Sequence, residues 1–134
     1  MNAEYNGKLS GKMLYFMEQT DGAFDAANDC MAVPLERFKG FRNVSATAAV
    51  NELTMEFDPM LGYLSDDTAG DNTFTADSVA LTITDNKHKE VMQDILNLIH
   101  GTHSDGFIVI ADDSNSVYAS THITACAITI TAEA

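Results

Sequence analysis

The chain predicts an α+β domain: mostly antiparallel sheet in a sandwich-like arrangement, with one helix (about 87–100) packed on it. Three stretches carry that expectation. Residues 78–84 (SVALTIT) alternate, with Val79, Leu81 and Ile83 on one side and Ala80, Thr82 and Thr84 on the other, the period-2 mark of a half-buried strand. Residues 87–100 (KHKEVMQDILNLIH) change the period, so that Val91, Met92, Ile95, Leu96 and Ile99 fall in one apolar stripe along a helix. Residues 106–111 (GFIVIA) are apolar on both faces and rich in β-branched side chains, as a central strand with both sides covered would be.

The helix has marked ends. Asp85 and Asn86 can each cap its first turn through a side-chain oxygen, Glu90 adds early negative charge, and Gly101 can adopt the left-handed conformation that stops a helix. His100 stands in the last turn, where positive charge is favoured. Residues 112–116 (DDSNS) are turn chemistry, because short polar side chains bond their own backbone. The chain then returns through residues 117–119 and 123–131. In that last segment Ile123 is odd-numbered while Cys126, Ile128 and Ile130 are even, which predicts a bulge near Thr124.

In the first half, residues 1–11 (MNAEYNGKLSG) are polar and contain Gly and Asn, and read as an N-terminal arm preceding a single domain, 12–134. Residues 12–18 (KMLYFME) and 29–33 (DCMAV) are strands by apolar and aromatic content. Pro34 stops the second strand and presets a one-turn helix over 35–38. Residues 43–58 carry two alternating runs: Val44, Ala46, Ala48 and Val50, then Leu53, Met55 and Phe57. The one-step shift between them at Asn51 and Glu52 predicts a bulged or hairpinned strand pair. Residues 59–73 (PMLGYLSDDTAGDNT) form a long loop, in which Met60, Leu61, Tyr63 and Leu64 make a small apolar patch suited to contacts with another chain.

The 134 residues bound one domain, which buries about two-thirds of the surface its unfolded chain exposes, enough for a core without staples. Hydrophobic residues at 46% and charged residues at 20% are ordinary globular usage, so disorder of the whole chain is excluded. Charge is less ordinary. Seven Lys and Arg against twenty Asp and Glu give a formal net charge of −13, which repels phosphate backbones and anionic lipid. Arg37, Lys39 and Arg42, the densest basic group, are a thin footprint for nucleic acid. No signal-peptide pattern stands near the start and no apolar run approaches membrane-spanning length, so the expectation is a soluble protein made in a cytoplasm, with neither nucleic acid nor membrane as partner.

No residues assemble into a catalytic or cofactor motif, and no catalytic, cofactor-binding or metal residues are assigned. Cys30 and Cys126 stand in no spaced motif and read as small core residues. His100, His103 and Asp105, with His88 and His122 elsewhere, offer metal donors, but Gly101 breaks the helix between the first two and leaves their facing unspecified. Asp66, Asp67, Thr68, Asp71 and Asn72, and separately Asp112, Asp113, Ser114 and Asn115, supply hard oxygen ligands without the spacing of an EF-hand loop; Asx turns are the plainer reading. Ser, His and Asp are plentiful, but no nucleophile-elbow sequence holds them.

Two motifs carry a resemblance. Residues 86–92 (NKHKEVM) and 103–113 (HSDGFIVIADD) resemble small proteins of marine tailed phages, including cyanophages. The segment 13–17 (MLYFM) and the stretch 29–34 (DCMAVP) are more loosely similar, so that the pattern covers about 12–131 and the arm 1–11 precedes it. The resemblance implies a non-enzymatic virion structural protein, in its most concrete form a capsid-decorating or cementing component present in multiple copies. It implies as partners the capsid shell and copies of the same chain in a homo-oligomeric assembly, and it supplies no site residues. The alternative is a small ligand- or metal-binding module of a marine microbe or phage.

Overall fold

Among the described residues, eight strands form two four-stranded sheets whose apolar inner faces share one core. The computed structural model describes residues 11–18, 24, 29–44, 47, 49–58, 77–101 and 105–129. Sheet 1 has the order β2-β1-β6-β7, built from β1 (Met13–Met17), β2 (Cys30–Pro34), β6 (Phe107–Asp112) and β7 (Val117–Tyr118). Sheet 2 has the order β3-β4-β5-β8, from β3 (Phe38–Arg42), β4 (Glu52–Phe57), β5 (Asp77–Ile83) and β8 (Ile123–Thr129). With the helix α1 (His88–Ile99) between β5 and β6, the chain is α+β. Sheet 2 is antiparallel throughout, whereas the two central strands of sheet 1, β1 and β6, run parallel.

Alternation decides what each strand buries. Leu14 and Phe16 of β1, Met31 and Val33 of β2 and Ile108 and Ile110 of β6 meet Leu53, Met55 and Phe57 of β4, Val79, Leu81 and Ile83 of β5 and Cys126 and Ile128 of β8 in one cluster. Phe16 and Phe57 join the two sheets edge to face, ring centroids 5.7 Å apart. The bulge expected near Thr124 is present: Ile83 pairs with Ile123 and Thr82 with Ala125, leaving Thr124 as the extra residue. The expected strands at 12–18, 29–33 and 78–84 and the turn after Asp112 are likewise where their patterns put them.

Four expectations are corrected. The stripe of α1 is centred on Val91, Ile95 and Ile99, all buried, with Met92 and Leu98 packed beside them, while Leu96 is 40% exposed. At 100° per residue, Met92 and Leu98 flank Ile95 by about 60° and Leu96 by about 100°, too far round to reach the core. Neither Asp85 nor Asn86 caps the helix. The N-cap is Lys87 without a side-chain bond, and Asn86, at φ 64°, instead turns the chain so that its N–H donates to Val50 O. The first run of 43–58 makes no strand at its described positions: Val44 and Val50 are exposed, and 49–50 is a turn. β4 pairs instead with β3 upstream. Finally, β6 is central but its outward face is only partly covered: Phe107 is 43% exposed and Val109 half-buried, while Asp112 at the far end is buried. The loop 59–73 and all of the arm 1–11 except Gly11 lie outside the described residues.

The outward faces of the sheets differ. In sheet 1 the outward residues are Met13, Tyr15 and Met17 of β1, Cys30, Ala32 and Pro34 of β2, Phe107, Val109 and Asp112 of β6 and Val117 of β7. In sheet 2 they include Arg42, Glu52, Thr54, Glu56, Ser78, Ala80, Thr82 and Thr129.

Candidate functional site

One group of polar side chains lies where the outer edge of β8 meets the ends of β1 and β6. An edge strand presents N–H and C=O groups that must find partners. Here side chains supply them. Ile128 N–H donates to Glu18 Oε1 at 2.8 Å and Cys126 N–H to Asp113 Oδ2 at 3.2 Å. Asp113 Oδ1 also accepts from the Tyr118 hydroxyl at 2.8 Å, and Thr124 O lies 3.0 Å from the same hydroxyl, whose one proton these two acceptors share. The Cys126 thiol, buried in the core, donates to Met17 O at 3.4 Å. Asp112, itself buried, accepts the backbone N–H groups of Ser114 and Asn115 and the Asn115 Nδ2–H, fixing the turn that presents Asp113.

These surroundings hold the Cys126 thiol and the Tyr118 hydroxyl neutral. Burial, then the Asp113 and Glu18 carboxylates, push the Cys126 thiol up to about 12. Burial and the hydrogen bond to Asp113 likewise raise Tyr118, and burial with Asp112 raises Tyr15. Near neutral pH this group therefore offers neither a thiolate from Cys126 nor a phenolate from Tyr118; chemically it is a latch that satisfies a strand edge.

A second polar group joins α1 to the β7–β8 connection. The buried Ser120 hydroxyl donates to Asp94 Oδ2 at 2.6 Å and accepts the His122 backbone N–H at 3.2 Å. Serine, aspartate and histidine thus meet, but histidine contributes its backbone, so the imidazole is not the group that bonds the serine oxygen. At the other end of the helix Lys12 Nζ donates to Ile99 O at 2.6 Å, an ammonium on the carboxyl end of the helix dipole.

Asp112, Ser114 and Asn115 meet in the expected Asx turn, whereas the described histidines are not brought together. His88 donates through Nε2–H to Ala49 O at 2.7 Å and Glu52 O at 3.1 Å, tying the start of α1 to β4. His122 contributes its backbone as above, and His100 ends the helix, its own N–H donating to Leu96 O. Asp105 Oδ1 accepts Phe107 N–H at 3.0 Å, a local turn bond. His103 and the loop group Asp66, Asp67, Thr68, Asp71 and Asn72 lie outside the described residues. Among the described residues no three His, Cys, Asp or Glu side chains converge as metal donors, Cys30 and Cys126 are free thiols, and no helix is long and apolar enough to cross a membrane. Glu18, Asp94, Ser120 and Lys12 were not legible as a set, because each partner lies far away in sequence and no spacing signals it. No family model, curated protein or solved structure matches the chain.

Proposed function

We propose that this chain is a non-enzymatic structural protein of a tailed-phage virion, associated with the capsid shell and present in multiple copies. The observation that carries the reading is the pair of motifs at 86–92 and 103–113, which resemble small proteins of marine tailed phages. Polar side chains within these motifs serve the scaffold: His88 ties helix to sheet, Asp105 and Asp112 shape turns, and Asp113 latches β8. That use supports a structural role for the residues on which the resemblance rests. A net charge of −13 favours the exterior of a particle over contact with packaged DNA. Shell proteins and copies of the same chain are the partners this reading names.

Quantitative mass spectrometry of gradient-purified particles tests it. The expected result is a copy number in fixed proportion to the major shell protein. Absence from washed particles, with the protein abundant in the lysate of infected cells, overturns it.

A further inference from the structure

We draw no further inference here: the strongest candidate, the cluster of Glu18, Asp112 and Asp113 carboxylates around Cys126 at the outer edge of β8, belongs to the latch already described, and among the described residues no unpartnered buried side chain there points to a ligand.

Discussion

Both sheets obey the same inward alternation, yet their outward faces belong to different environments. Outward positions of sheet 2 are Thr, Ser and Ala with Glu52 and the Arg42–Glu56 pair, whereas those of sheet 1 are Met, Cys, Ala, Tyr, Pro, Phe and Val with Asp112 at one end. Burial of the inner faces explains the fold of both sheets equally well and is silent on this difference. An apolar outward face adds nothing to the stability of a monomer in water, so the contrast concerns what each sheet meets after folding.

Substitutions break or sharpen that contrast in order of size. The largest effect is expected in the core the sheets share: Ile95→Ala should lower stability by about 2–5 kcal/mol in urea unfolding, through transfer and cavity terms. A change below about 0.5 kcal/mol would show that the helix stripe belongs to an outward face instead. Gly106→Ala attacks sheet 1 alone. Gly106 has φ +70°, and a Cβ there would lie 1.6 Å from Gly11 O, so a loss of about 2–3 kcal/mol is expected. Retention of parental stability would mean that the base of β1 and β6 is not held as closely as drawn.

Alkaline titration probes the latch between the sheets. Cys126 has its pKa raised from 9.0 to about 12 in the fold, so its contribution to stability is intact below about pH 9 and is lost as pH rises toward 12; Tyr118, also raised, acts in the same direction. The melting temperature is expected to fall above pH 9, and Cys126→Ala should flatten the slope. An equally steep fall in the variant would remove Cys126 from the account.

The two smallest effects test the outward face of sheet 2. The hydroxyl of Thr54 is buried with no hydrogen-bond partner among the described residues, so Thr54→Val should stabilise by about 1 kcal/mol in thermal or chemical melts; destabilisation would reveal a partner. Arg42→Ala, which removes an exposed ion pair, should change stability by less than about 1 kcal/mol, and less still in high salt.

What was legible in the sequence follows from the range of the interactions. The helix, β5 and the bulge at Thr124 are written in local periodicity and could be read. β3 could not, because the bulge between Phe38 and Gly40 breaks its alternation and places Phe38 and Phe41, three apart, on the inner face. The continuous apolar run of β6 signalled a strand covered on both sides; an outward face of this composition gives the same signal as an inward one. The latch was half legible, since the Asp112 turn is local while Glu18 and Ile128 are brought together only by the fold. Parallel pairing of β1 with β6 left no trace in the spacing.

That parallel pair also sets a schedule for biosynthesis. β1 leaves the ribosome more than ninety residues ahead of its central partner β6. At about 5–20 residues per second the delay is roughly 5–20 s. Over that interval β1 can pair with β2, but Leu14 and Phe16 have no β6 beside them, and β5, α1 and β8 are not all available to cover them. Sheet 1 is thus completed only once β6 and β7 have emerged, and the nascent protein passes through a stage in which both faces of the β1–β2 pair are apolar and open to chaperones or to neighbouring nascent chains on the same message.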